Sequence, residues 1–296
     1  METLTQILNW KSVEDWFYVL NDLSMTYIIL PFFVLELIRY TFLKQMSWDI
    51  VKDSIANFIT FGAFVLIEYA LGFLFITKLY FWVYENISLT HLPTTWITII
   101  ACVLLADFAY YWDHRMMHRI GIGWVTHTVH HSSPHFNMSV AYRFGPLDAV
   151  FPLLFSLPIV MLGFNPILVL FCEAFVQVFQ TLLHTEAIGK LFKPIEAVFN
   201  TPSHHRVHHG SNRQYWDKNY AGILIIWDKI FGTFEPEVEK VVYGVSEPIN
   251  SNNPITVFFH GFTRFAEKLK NIKGTTNKLK AFVKPPDWEP SNKYEK

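Results

Sequence analysis

Apolar residues collect in four long stretches, at residues 25–43, 54–77, 96–112 and 147–183. A helix needs about 20 residues to cross the hydrocarbon core of a bilayer. The first two stretches have that length, and the third reaches it with Trp96 and Trp112 at the two interfaces. The fourth is interrupted near Gly163, Asn165 and Pro166, so it reads as a helical hairpin with arms at about 147–162 and 166–183. Such arms either cross or dip in and return. The pattern predicts an all-α integral membrane protein with about four transmembrane helices or helical hairpins, in one domain covering 1–296. There is no internal repeat and no linker.

Composition points the same way. Hydrophobic residues make up 51% of the chain and charged residues 17%, against about 25% charged in a typical soluble domain. Soluble, disordered, collagen-like and nucleic-acid-binding readings are excluded. Cys102 and Cys172 lie inside apolar runs, so no disulfide framework is expected. The first 20 residues lack the basic start and apolar core of a cleavable signal peptide.

Charge sets an orientation. Glu2, Glu14, Asp15 and Asp22 precede the first stretch, and Arg39, Lys44 and Lys52 follow it, which predicts an outer N-terminus. Counting crossings from there puts residues 113–145 and 184–260 together in a cytoplasmic cap. The enclosing membrane would be a bacterial inner membrane or the endoplasmic reticulum. Residues 261–296 form a basic tail, with Arg264, Lys268, Lys270, Lys273, Lys278, Lys280 and Lys284, expected to be a solvated or headgroup-facing helix.

The candidate chemistry sits in the cap. Eleven of the 13 histidines fall between His114 and His209. Ten of them are grouped as His114 and His118, then His127, His130 and His131, then His184, then His204, His205, His208 and His209, while His135 follows the second group with no partner spacing. Helical residues three and four apart share a face, so each group can aim its imidazoles at one point. Imidazole suits Fe, Zn, Cu and Ni. Nine convergent rings (His114, His118, His127, His130, His131, His184, His205, His208 and His209) are too many for one metal ion and suffice for two. His204, Asn200 and Asp228 are candidates for supporting those ligands. Asp107, Tyr111, His114 and His118 follow spacings of 4, 3 and 4, as do Glu173, Gln177, Gln180 and His184. Polar residues inside membrane helices face a site or a partner. Asp107, Glu173, Gln177 and Glu186 are therefore expected to orient imidazoles or to line a substrate cavity, unless they only bond helix to helix.

The three histidine groups resemble the HxxxH, HxxHH and HxxHH pattern of the fatty acid hydroxylase/sterol desaturase superfamily. Residues 112–118, 127–133, 184–186, 201–210, 218–222, 227–234 and 284–288 are similar to the branch that hydroxylates ether lipids. His135 and Phe136 depart from that branch, where an acid and a tyrosine are expected. The resemblance implies a membrane di-iron enzyme that uses O2 to hydroxylate a lipid C–H bond on a long apolar chain. It implies two iron ions at the nine histidines, zinc being able to occupy them in purified protein. It also implies an external reductant, either tetrahydrobiopterin-like or a separate electron-transfer protein. No nucleotide-binding glycine turn or cytochrome-like segment is present that would make the donor part of the chain. The alternatives are a lipid or sterol desaturase using the same metal site and, more remotely, a zinc-dependent membrane hydrolase or a metal transporter.

Overall fold

A computed structural model describes residues 29–148 and 150–290. The regular elements among them are all helical, and extended backbone pairs in an isolated bridge between Gly210 and Tyr243. Helix α1 (Leu30–Phe42) is followed by α2 (Trp48–Glu68), which continues through a π-helical stretch (Tyr69–Ile76) into α3 (Thr77–Asn86). Next come α4 (Trp96–Arg119), α5 (Gly121–His131), a 3-10 turn (Met138–Tyr142), and the hairpin of α6 (Phe151–Met161) and α7 (Pro166–Thr181). The cap adds α8 (Lys193–Val198), α9 (Pro202–His208), α10 (Ile226–Phe231), α11 (Pro254–Asn271) and α12 (Thr275–Val283).

Trp48–Leu71 and Trp96–Arg119 are long and apolar enough to cross a membrane. The 24 residues of α4 reach about 36 Å at 1.5 Å per residue. The hairpin arms have 11 and 16 residues, about 16 and 24 Å, and both fall short of the ~30 Å core. Among the described residues, two helices are candidate full-length spans, and the hairpin arms are shorter apolar helices. The second span also begins earlier than the apolar run suggests. Ser47 caps it, its hydroxyl accepting from the Ile50 amide at 3.3 Å, so the polar first turns of α2 are helical too. Residues 25–28 of the first stretch and the acidic N-terminus lie outside the described residues.

Burial is inverted relative to a water-soluble bundle. In α2, Asp53, Ser54, Asn57 and Thr60 are buried, while Ile55, Phe58, Ile59, Val65 and Leu66 are exposed. An apolar outside and a polar inside are what lipid as a solvent requires. Small residues let α4 approach the hairpin closely: Cys102, Ala106 and Ala109 pack in one buried cluster with Val169, Cys172 and Val176. Both cysteines are free.

The expected boundary between cap and basic tail at residue 260 falls inside α11. Val257, Phe258 and Gly261 are buried where α11 packs on α5, and the Gly121 amide donates to the Lys284 carbonyl at 2.8 Å. The described part of the tail therefore covers the histidine helix, with Lys270, Lys278, Lys280 and Lys284 left exposed. Residues 291–296 lie outside the described residues.

Candidate metal centre

The site is built at a corner. Helix α4 ends at Arg119, Ile120 is extended at φ −122° and ψ 141°, and α5 starts at once. Gly123 makes the corner tight, since a Cβ there would lie 2.7 Å from the Met117 Cα. His114 and His118 at the end of α4 consequently face His127, His130 and His131 on α5. Helix α9 brings His205 and His208, with His209 as its C-terminal cap, and the turn after α7 brings His184.

These nine rings form two groups. His114, His118, His127, His131 and His208 hold one nitrogen each within 4.8 Å of one another, and so do His130, His184, His205 and His209. All nine are 1–8% exposed. The groups adjoin, the His131 and His209 rings lying 4.4 Å apart between centroids.

The hydrogen bonds decide what the rings can hold. A carbonyl only accepts, so an imidazole nitrogen bonded to one must carry the proton. The Nδ1 atoms of His114, His130, His184 and His208 donate to the carbonyls of Tyr220 (2.9 Å), Arg143 (3.2 Å), Gln180 (2.9 Å) and Lys218 (2.9 Å). Each of these neutral rings is left with a lone pair on Nε2. His130 Nε2 and His184 Nε2 nevertheless face each other at 3.2 Å. Two buried lone pairs at that distance repel, and a cation shared by the group relieves the conflict. His118 Nε2, His208 Nε2 and His209 Nε2 are buried with no protein partner. A donor set of neutral imidazoles with fixed tautomers fits a transition-metal ion.

Burial also keeps the rings neutral. Loss of hydration pushes His127, His130, His131, His205, His208 and His209 well below the ordinary imidazole value, and neighbouring rings add to the effect. His184 falls to about 4 for the same reason, against the opposing bond to Gln180. Burial thus favours the neutral, ligating form of these rings.

Two brackets hold the carbonyls that orient the rings. The first is the segment from Lys218 to Leu224, which supplies the acceptors for His114 and His208. Asp228 accepts from the amides of Tyr220 and Ala221, both at 2.8 Å, and from the Thr233 hydroxyl at 2.6 Å. Asp107 accepts from the amides of Ile223 (2.5 Å) and Leu224 (3.1 Å) and from the Trp227 indole (2.8 Å). Asn200 donates to the Ala221 carbonyl at 2.6 Å, and the Gln180 amide donates to the carbonyls of Ala221 and Gly222. A side chain at Gly222 would collide with the Asp107 carboxylate, 2.5 Å from the Cβ position.

The second bracket is centred on Arg143, 1% exposed, whose carbonyl takes the His130 proton. Its guanidinium donates to the Val129 carbonyl and the Ser132 hydroxyl on the α5 side, both at 2.9 Å. On the α2 side it donates to Asp53 (2.8 Å) and Asn57 (2.7 Å). The sequence reading missed Arg143, Asp53 and Asn57. Their signal was available, because Asp53, Asn57 and Thr60 repeat at 4 and 3 along an otherwise apolar stretch. It also missed Glu36 of α1, which accepts from the Met138 amide at 2.6 Å and the Thr185 hydroxyl at 2.9 Å.

The expected supporting residues divide. Asp107, Asn200 and Asp228 act on the carbonyl-bearing segment and not on a ring. The His204 ring turns away from the two groups to Glu196, 3.0 Å from its carboxylate. Glu186 is exposed and accepts from the Tyr243 hydroxyl at 3.1 Å. Glu173 accepts from the Tyr80 hydroxyl at 3.5 Å, and Gln177 is exposed. Glu173 and Gln177 also line a cavity of about 30 Å³ with Tyr110 and Asp113. The Tyr110 ring lies 5.3 Å from that of His114.

Residues 99–233, which carry all nine rings, match the family model described as fatty acid hydroxylase. This segment is similar to members of that family. Among curated relatives, human alkylglycerol monooxygenase is 45% identical over 213 residues, 71% of this chain and 47% of that protein. The ornithine lipid hydroxylase OlsE of Rhizobium tropici is 30% identical over 146 residues, 48% of this chain and 44% of that protein. The Delta(7)-sterol 5(6)-desaturase of Eremothecium gossypii is 30% identical over 181 residues, 58% of this chain and 46% of that protein. The chain spans about half the length of the curated relatives it matches. No solved structure matches it.

Proposed function

We propose that the chain is an integral-membrane di-iron monooxygenase that hydroxylates a lipid C–H bond with O2, and that its substrate is an ether lipid of the alkylglycerol type. The observation that carries this reading is the pair of buried all-imidazole groups with opposed lone pairs, in a segment similar to the fatty acid hydroxylase family. Two iron ions, one at each group, would supply O2 activation and the redox equivalents for attack on an unactivated C–H bond. The protein's share is positional. Carbonyls of Tyr220, Arg143, Gln180 and Lys218 fix the tautomers, the two brackets hold those carbonyls, and near-complete burial excludes water from the reaction.

In this reading α1 and the hairpin complete the membrane part, and residues 113–145 and 184–260 form the cap. The positions of Arg39, Lys44 and Lys52 and the basic tail support a cytoplasmic cap, at a bacterial inner membrane or the endoplasmic reticulum. Electrons come from outside the chain, from a tetrahydrobiopterin-like reductant or an electron-transfer protein. Similarity to a sterol desaturase supports a second reading, in which the same centre removes a second hydrogen and leaves an alkene. Lipid mass spectrometry of cells with and without the gene separates the two. Lipids gaining one oxygen atom are expected, loss of two hydrogens would favour the desaturase, and an unchanged lipid profile would contradict both.

A further inference from the structure

The lower edge of the cap lies beside the membrane helices and not above them. Helix α10 packs on the second half of α4, with ring centroids 5.0 Å apart for Trp227 and Phe108 and 5.0 Å apart for Phe231 and Trp112. We propose that α8, α10 and the irregular backbone at residues 223–225 form a collar immersed in the bilayer leaflet on the histidine side, where acyl chains cover Phe192, Val198, Phe199 and Ile230. The proposal rests on the integral-membrane part of the reading above and is independent of the reaction.

The depth follows from the rise of α4. With Trp96 and Trp112 at the two interfaces, Asp107 stands about 16 Å from the first and about 8 Å inside the second, at 1.5 Å per residue. Asp107 accepts from the amides of Ile223 and Leu224 and from the Trp227 indole, so this backbone sits at the same depth. The Ile223 carbonyl in turn accepts from the Asn200 amide at 2.7 Å, and the Lys229 ammonium donates to the Ala197 carbonyl at 2.7 Å. Those two bonds tie the end of α8 to the same level. A depth of about 5–10 Å is that of segments lying at the boundary between headgroups and acyl chains.

Two features select lipid, and not water or a protein, as what covers the collar. Irregular backbone at membrane depth is tolerated only where the protein satisfies its polar groups. Here Asp107, a carboxylate within a span, is committed to three N–H donors that solvent would serve at a water-facing turn. The second feature is the outer surface. Phe192 and Ile230 are 65% and 63% exposed, close to the 72% of Leu66 on the lipid-facing side of α2. The acids in residues 188–200 and 223–231 are Glu196 and Asp228, and both bond inward, to Ser203 and Thr201 and to the amides of Tyr220 and Ala221. The exposed charges of the collar are therefore those of Lys190, Lys193 and Lys229. Apolar side chains bordered by lysines alone match acyl chains below and anionic headgroups above. The collar adjoins Tyr220, so it also anchors the carbonyl that orients His114.

The test uses the full chain in phosphatidylcholine nanodiscs, with a bimane fluorophore on Ile230→Cys or Phe192→Cys. Cys102 and Cys172 are buried, so the unsubstituted protein serves as the labelling blank. Leu66→Cys is the reference for lipid, and Val242→Cys, an exposed apolar position in the cap, is the reference for water. The quenchers are a phosphatidylcholine carrying a nitroxide on its acyl chain and iodide in the buffer. Both collar labels should be quenched by the nitroxide lipid as Leu66→Cys is, and should lose most of the iodide quenching seen at Val242→Cys. Iodide quenching at the level of Val242→Cys would place the collar in water, and shielding from both quenchers would place it under protein. Either result overturns the proposal. Iodide quenching of Leu66→Cys as strong as that of Val242→Cys would instead contradict the membrane reading itself. Metal content at the wild-type level shows that a variant has folded, and the labels on α8 and α10 are read separately, so loss of one variant leaves the other to decide.

Discussion

Replacing Arg143 by Met should be among the most damaging changes outside the histidines themselves. Arg143 and Asp53 are each 1% exposed and 2.8 Å apart, and the same guanidinium also bonds Val129, Ser132 and Asn57. Removing one partner of a buried ion pair costs about 3–5 kcal/mol, because the other charge stays buried without compensation. For a chain of this size that corresponds to a fall in Tm on the order of 10 °C. Replacing both partners by apolar residues of similar volume is often neutral. The double variant Arg143→Met, Asp53→Leu should therefore melt above the Arg143→Met single variant. The assay is a thermal melt of the wild type, both single variants and the double variant in the same detergent and at the same pH. A shift of less than about 1 kcal/mol in the single variant, or a double variant that loses the sum of the two single losses, would refute the assignment of Arg143 and Asp53 as a buried clasp between α2 and α5.

Three further outcomes are expected. Purified protein should hold close to two metal ions per chain, and Ala at His127, His130 or His131 should lower that content while the protein still inserts into membranes; wild-type content in a variant would remove that residue from the ligand set. Gln180→Leu deletes the amide that donates to Ala221 and Gly222 but keeps the Gln180 carbonyl that takes the His184 proton, so metal affinity should fall about 10–100-fold, read by chelator competition, and unchanged affinity would sever the bracket from the site. Metal-free protein should lose thermal stability as pH falls below 6.5: the buried rings have folded-state values below the ordinary 6.5, as His184 does at about 4, so the unfolded chain binds more protons there. Melting temperatures flat from pH 7 to pH 5 would contradict the neutral state of the rings.

The local half of the site was legible in the sequence and the long-range half was not. Spacings of three and four placed His114 with His118 and His127 with His130 and His131, because one helical turn sets those distances. That α4 breaks at Ile120, so that the first pair faces the second set, is a property of one extended residue and a crowded Gly123. Asp107 and Asp228 were found as polar residues near the histidines, but their partners could not be read. Asp107 is more than 110 residues from the amides it holds, and those amides are backbone groups common to every residue. Arg143 lies 90 residues from Asp53, and neither is unusual until the two elements meet. The apolar runs marked α2, α4 and the hairpin, and two of these helices have the length of a full span, since hydropathy marks burial in lipid without separating a crossing from a short hairpin. His204 was kept out of the ligand set because one residue along a helix is a rotation of about 100°, and its ring does turn away, to Glu196.

The decisive measurement is the fate of labelled oxygen in a purified system. Iron-loaded protein in detergent or lipid nanodiscs is incubated with an alkylglycerol, a reductant and ¹⁸O2, and the lipid products are resolved by mass spectrometry. Incorporation of one ¹⁸O atom into the lipid, dependent on iron and abolished by His130→Ala, is the predicted result. Product carrying oxygen from water, or product formed equally well with zinc alone, would contradict a monooxygenase centre at the two histidine groups.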